Sequence, residues 1–206
     1  MWSDVVCPWC YIGKRRFDDA VEQLRGDVEV DITYAAYQLD PTAPTDQPTA
    51  VIDAYARKFG GLERAQQIID QVTATAAQSG LEFRMDVALR ANTLLAHRLL
   101  WLAQATGTQQ SLEERLFKAY FVDGLDVGDR NVLADCAADV GMARPAVAAF
   151  LDSDDGTEEV HRQLQFAAEH GITAVPTYVL NGSWSIPGAQ DTETFVRVLR
   201  RIAQQS

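Results

Sequence analysis

Two cysteines set two residues apart, Cys7 and Cys10, enclose Pro8 and Trp9 at the point where the short apolar stretch Val5-Val6 gives way to a helical pattern. Thiols at this spacing can close and reopen a disulfide. The first amides of a helix lack partners and its dipole is positive there, so a thiolate at Cys7 is favoured. Pro8 fits the first turn, where a missing N–H costs nothing. Cys10, one turn inward, can reach back and expel Cys7 from a mixed disulfide, and its attack is fast because the thiol is already oriented. A fall in the Cys7 pKa from about 8.5 to about 5 would stabilise the thiolate by roughly 5 kcal/mol and make the disulfide a better oxidant. The competing use of such a pair is half of a zinc site, which needs two more ligands close by. Cys136, His97, His161 and His170 are not paired at ligand spacing, so no metal is expected, and no cofactor beyond the dithiol itself.

A second feature is Val175-Pro176, at the start of a late apolar run. Proline inside a strand removes a ladder donor, and it is tolerated where it starts the strand or has a backbone task beside an active site. The residues alone leave cis and trans open. A cis bond would turn the backbone of Val175 and Thr177 toward the cysteines, where an extended client could pair with it.

The elements that must position these residues fall into three blocks. Phe17, Ala20, Val21 and Leu24 recur at helical spacing, predicting one helix from Cys10 to Leu24, and the alternation Val28, Val30, Ile32, Tyr34 predicts a strand. The tail reads as a strand from Val175 to Leu180, a two-residue turn at Asn181-Gly182, a strand from Trp184 to Ile186, and a helix capped by Asp191 or Thr192. Between them lies nearly unbroken helical periodicity. Leu62, Ala65, Ile69, Val72 and Ala76 form one stripe, Leu95, Leu99 and Leu102 another, and Leu133, Cys136 and Val140 a third, which buries Cys136 as a structural residue. Ser111 followed by Glu114 reads as a capping box, and Val160, Leu164 and Ala168 close the block. The Pro-rich stretch 40–48 is the linker into it. The expected fold is α/β: a thioredoxin-like domain made of residues 1–40 and 172–206, interrupted by an all-helical domain at 48–171.

Composition narrows the function classes. The chain has 206 residues, three cysteines and a formal net charge of -11. That field repels phosphate backbones and anionic headgroups, so neither nucleic acid nor a membrane surface is an expected partner. No run approaches the roughly 20 apolar residues of a membrane span, and the first residues lack the basic and apolar regions of a signal peptide. An odd cysteine count points to a reducing compartment, so the expected location is the cytoplasm.

These residues also carry a resemblance. The pieces are Trp2-Ser3-Asp4 leading to Cys7-Pro8-Trp9-Cys10-Tyr11-Ile12-Gly13-Lys14-Arg15, then Phe83, Ala91-Asn92-Thr93 and Ala96-His97-Arg98. Ala119-Tyr120-Phe121, Gly171 through Thr177, and Pro187-Gly188-Ala189-Gln190 follow in order. The chain resembles the FrnE-like branch of the DsbA family, in which a thioredoxin fold is interrupted by a helical domain. The resemblance implies that Cys7 is the exposed nucleophile, Cys10 the resolving thiol and Pro176 a cis proline facing them. It makes Pro8, Trp9, Val175 and Thr177 client contacts, with Phe83, Asn92 and Phe121 lining the groove. The family's first strand starts several residues before the position of Met1, which implies a short one here. Thiol or disulfide substrates, protein or small molecule, would be the partners, with glutathione a candidate co-substrate and a homodimer a plausible assembly. Relatives that isomerise 2-hydroxychromene-2-carboxylate with glutathione, or transfer glutathione as kappa-class enzymes, share the fold. They typically carry serine where this chain has Cys7, so the resemblance favours dithiol redox chemistry over that alternative.

Overall fold

A computed structural model describes residues 1–205. The chain opens with β1 (Trp2–Ser3), α1 (Pro8–Gln23) and β2 (Ala35–Ala36), and ends with β5 (Thr177–Leu180), β6 (Trp184–Pro187) and α9 (Thr192–Ala203). Between them come β3 (Thr49–Ala50), α2 (Val51–Phe59), α3 (Leu62–Gln78), β4 (Leu89–Arg90), α4 (Leu94–Ala105), α5 (Gln109–Phe121), α6 (Arg130–Asp139), α7 (Arg144–Asp152) and α8 (Thr157–Glu169). The main sheet runs β2-β1-β5-β6, parallel between β1 and β2 and antiparallel elsewhere. This is the α/β thioredoxin-like fold that the sequence implies, with the helical block between its two parts. The block is not wholly helical, since β3 and β4 pair antiparallel.

Each face of the sheet is covered for a reason visible in the side chains. On one face Phe17 and Ala20 of α1 and Leu24 at its C-cap meet Phe195 and Leu199 of α9 around Tyr178. Phe17 stacks on Tyr178 at 5.0 Å and takes Phe195 edge-on at 5.1 Å, the geometries that ring quadrupoles prefer. On the other face Ala167 and Ile172 pack on Trp2, and Phe166 stacks on its ring. Thus α8, within the stretch 48–171, lies against the sheet as well as against α4. The largest cluster joins α1 to the helical block, where Tyr11 stacks on Phe117 at 4.8 Å and Phe83 on Phe121 at 4.4 Å.

The strand expected at Val28 to Tyr34 is reduced to its end. Val28, Val30 and Ile32 do turn toward the α1 and α9 cluster, as their alternation requires. Only Ala35 and Ala36 find ladder partners, in Trp2 and Ser3. Among the described residues no strand pairs with 28–33; the Met1 amino group donates to Thr33 O at 2.7 Å instead. A ladder needs two sides.

Two local expectations also shift. Pairing of Leu180 with Trp184 makes the hairpin connection three residues long, with Asn181 and Gly182 both at positive φ. The helix expected to open at Ser111 begins at Gln109, so Ser111 lies inside the first turn. Glu114 does not cap it, because Lys14, Arg15 and Tyr11 across the interface take its carboxylate at 2.8–2.9 Å. Asp191 does cap α9, accepting from Thr194 N at 2.7 Å.

Candidate functional site

Cys7 stands at the N-cap of α1 with extended backbone, and Pro8 starts the helix behind it. Asp4 shapes the approach: its carbonyl accepts from Cys7 N at 2.9 Å, and its carboxylate Oδ2 accepts from Leu39 N at 2.7 Å. Cys7 O closes the first turn with Cys10 N and Tyr11 N. All three cysteines are free thiols.

Opposite Cys7 is the loop before β5. The Val175–Pro176 bond is cis, and Cys7 Sγ donates to Val175 O at 3.7 Å. This approach depends on a missing side chain in α1. A Cβ built on Gly13 would sit 2.7 Å from Tyr178 Oη, 3.1 Å from Pro176 Cγ and 3.2 Å from Ala189 Cβ. Gly13 therefore lets the proline loop close on the helix.

The structure brings Cys7, Cys10, Pro8, Val175 and Pro176 together and leaves Trp9 exposed beside them. Cys7 does not stand out into solvent, however. It is only 2 % exposed. Thr177 is no client contact: its hydroxyl donates to Ala174 O at 2.8 Å and its backbone lies between β1 and β6. Phe83 and Phe121 do not line a groove either, because their rings are buried in the stack with Tyr11 and Phe117. Asn92 is a latch. Its amide donates to Ala43 O at 3.1 Å, and its carbonyl accepts from Leu94 N at 3.0 Å at the start of α4. Cys136 is fully buried, and burial pushes its thiol up.

Several residues at the site escaped sequence reasoning. A cavity of about 410 Å³ opens beside Cys7, walled by Val6, Leu39, Val51, Tyr55, Phe59 and Tyr120. Tyr55 and Tyr120 both feel the Cys7 sulfur; burial and that sulfur push Tyr55 up to about 12. Arg57, Lys58 and Arg90 lie around the cavity, and Arg90 pairs with Asp40 at 2.7 Å. A basic dipeptide between aromatics four apart, in so acidic a chain, was the available signal.

On the inner side, Cys10 is fully buried. Burial first, then Cys7 beside it, raises its thiol, while hydrogen bonds from the Asp4 backbone and the Ser3 side chain oppose the rise. Ser3 Oγ donates to Glu113 Oε1 at 2.7 Å. His97 Nε2 lies 2.9 Å from Tyr37 O and 3.4 Å from Asp4 Oδ1. Both neighbours are acceptors, which assigns the proton to Nε2. The gap among Ser3, Tyr34, His97 and Glu113 measures about 10 Å³, one water at most. Outside this slot Lys14 bridges Asp18 at 2.6 Å and Glu114 at 2.8 Å. Burial works against its charge, and the two carboxylates outweigh burial and raise its pKa.

Fold and site together define a thioredoxin-type protein with a dithiol at a helix start facing a cis proline. The chain belongs to the DsbA-like thioredoxin family, whose domain pattern matches residues 1–200. It is 32 % identical to a protein described as a probable DsbA oxidoreductase, SCO1869 of Streptomyces coelicolor, and the structures superpose with a TM-score of 0.90 over 100 % of this chain and 88 % of that one. It is 27 % identical to the uncharacterised protein YwbO of Bacillus subtilis, over 97 % of this chain and 94 % of the other. The cytosolic disulfide reductase DsbM of Pseudomonas aeruginosa shares the fold, with 16 % identity, a TM-score of 0.65, and coverage of 99 % and 95 %.

Proposed function

We propose that this protein is a thiol/disulfide oxidoreductase whose redox centre is Cys7-Pro8-Trp9-Cys10. The observation that supports this most is the unequal placement of two free thiols: Cys7 against Val175 O, Cys10 sealed behind it. Cys7, as thiolate, attacks one sulfur of a client disulfide; the client S–S bond breaks, one client thiolate leaves, and a mixed disulfide remains. Cys10 then attacks Cys7 Sγ, the second client thiolate departs, and the Cys7–Cys10 disulfide carries the two electrons' worth of oxidation. Run backwards, the same steps oxidise a client dithiol. Clients are protein or small-molecule thiols and disulfides, glutathione among them. A dithiol kept for exchange suits a reducing compartment, and we read the cytoplasm as its place. Among the described residues no helix is long and apolar enough to cross a membrane.

Substituting each thiol tests the reading. Cys10→Ser keeps the attack and removes the escape, so mixed disulfides accumulate on Cys7. Cys7→Ser abolishes exchange. A glutathione-dependent isomerase or transferase would instead tolerate serine at position 7, where the side chain only hydrogen-bonds the glutathione sulfur. Insulin reduction and trapping of a labelled disulfide, alongside a glutathione conjugation assay, separate the two; exchange that survives in Cys7→Ser would falsify the assignment. The reduction potential then fixes direction, with about -120 mV marking an oxidant like DsbA and about -270 mV a reductant like thioredoxin.

A further inference from the structure

Disulfide exchange requires only a reachable thiolate, yet this chain keeps a cavity of about 410 Å³ whose lining begins at Val6, next to Cys7. Tyr55 and Tyr120, which also line it, both feel the Cys7 sulfur. Small-molecule sites have this character: mostly apolar and aromatic walls, with a few polar groups that fix orientation. Val51, Ala91 and Tyr120 line the cavity as buried residues, whereas Leu39 and Phe59 line it while 42 % and 41 % exposed. Large apolar side chains left in water around a cavity gain when a flat apolar body covers them. A ring suits such a lining better than the amides of a peptide, which would lose water without gaining partners. The charges select further. Asp40 already offsets Arg90 at 2.7 Å, but among the described residues Arg57 and Lys58 form no ion pair, in a chain whose net charge is -11. They make the cavity locally attractive to an anion that the rest of the surface repels. Lys58 Nζ lies 5.5 Å from the centre of the Phe59 ring, so cation and aromatic surface adjoin.

We propose that the preferred clients are small disulfides that join a flat aromatic body to an anionic group, bound in this cavity with the anion at Arg57 and Lys58. This rests on the oxidoreductase reading and names its substrate class. One half of such a disulfide occupies the cavity and presents its sulfur to Cys7. The Cys7 thiolate bonds to that sulfur, the client S–S bond breaks, and the other half leaves as a thiolate with the bonding electrons. Cys10, as thiolate, then bonds to Cys7 Sγ, and the seated half departs as the second thiolate.

Reaction of the reduced protein with 5,5′-dithiobis(2-nitrobenzoate), an anionic aromatic disulfide, reads the site. Attack by Cys7 releases one coloured thiolate and resolution by Cys10 a second, so stopped-flow absorbance gives two phases. In the wild type the rate of the first phase should saturate with disulfide concentration, the mark of binding before attack. The neutral aromatic 4,4′-dithiodipyridine should saturate only at several-fold higher concentration, and oxidised glutathione, anionic but without a ring, should give a linear dependence. Ala54 also lines the cavity, and Ala54→Trp, which fills it, should raise the half-saturation concentration for the anionic aromatic disulfide by roughly tenfold. An unreactive acid decides the matter if that variant folds poorly. In the wild type 2-naphthoate should compete with the aromatic disulfide, and the uncharged 2-naphthalenemethanol should compete several-fold less well. A first phase that stays linear in the wild type, or a half-saturation that neither Ala54→Trp nor 2-naphthoate raises, overturns the proposal and leaves the oxidoreductase reading standing. A wild type that releases no second thiolate overturns both.

Discussion

Cys7 and Cys10 are separated by two residues and both nearly inaccessible, but their surroundings are opposite in kind. Beside Cys7, its neighbour Val6 lines a cavity of about 410 Å³ whose walls include Tyr55 and Tyr120, with three cations around it. Cys10 is fully buried, and Ser3, whose side chain acts on its thiol, lines a slot of about 10 Å³ with a histidine and a buried acid. One side has room to admit something from outside, and the other has room for one water at most. Burial by area does not distinguish the two thiols; what lies next to each one does. The cavity is walled mainly by α2 and Tyr120 of α5, and the slot by β1, β2 and the inner faces of α4 and α5.

The surest way to break the contrast is to loosen the dry side. Phe117 is fully buried and stacked on Tyr11 one residue past Cys10. Phe117→Ala should cost about 3–5 kcal/mol. Denaturant unfolding should show a lower midpoint with little change in slope.

Next in size is a pH effect. Burial raises Glu113 from an ordinary 4.5 to about 7, so the folded protein holds a proton that the unfolded chain releases. The stability this group contributes is full below the unfolded value and is lost as pH rises through the folded one. The shift is worth roughly 3 kcal/mol. Between about pH 4 and about pH 8, wild-type stability should therefore fall relative to Glu113→Gln by about that amount, read from paired urea titrations. Parallel curves for the two proteins would remove the buried acid from the picture.

Gly13→Ala acts within α1. The new methyl meets Tyr178 Oη and Pro176 Cγ at 2.7 and 3.1 Å, so the proline loop must move outward. A loss of about 1–3 kcal/mol is expected, together with slower attack by Cys7, measured as the first phase with the aromatic disulfide.

The smallest effect sharpens the wet side. Arg57 and Lys58 are exposed at the cavity, so neutralising them as Arg57→Gln/Lys58→Gln should lower kcat/KM for an anionic aromatic disulfide by about two- to fivefold. A neutral dithiodipyridine should be unaffected, and added salt should erase the difference.

What could be read from the sequence follows the range over which each feature is decided. The helix behind Cys7 and the stripe Ala65, Ile69, Val72, Ala76 are settled within a few turns, and these side chains are buried as their spacing requires. The hairpin was legible from Asn181-Gly182, although its register was off by one residue. Strand residues 28–34 alternated correctly but gave no hint of how much partner strand they would meet. Glu113 was illegible. In Leu-Glu-Glu-Arg it looks like any surface helix residue, and only docking against Ser3, 110 residues away, buries it while Glu114 stays at the rim. Phe83 and Phe121 carried a family expectation that the Tyr11 stack overrules.

The glycine in α1 has a genetic consequence. Every single-base change in a glycine codon that alters the amino acid introduces a side chain with at least a Cβ, and at position 13 that atom already collides with Tyr178. Neighbouring positions of the helix can drift through conservative steps, but this codon has no small step available. Random mutagenesis scored by thiol exchange should therefore leave position 13 as a gap in the tolerated spectrum, with the first exposed position after it in the same helix at Asp19.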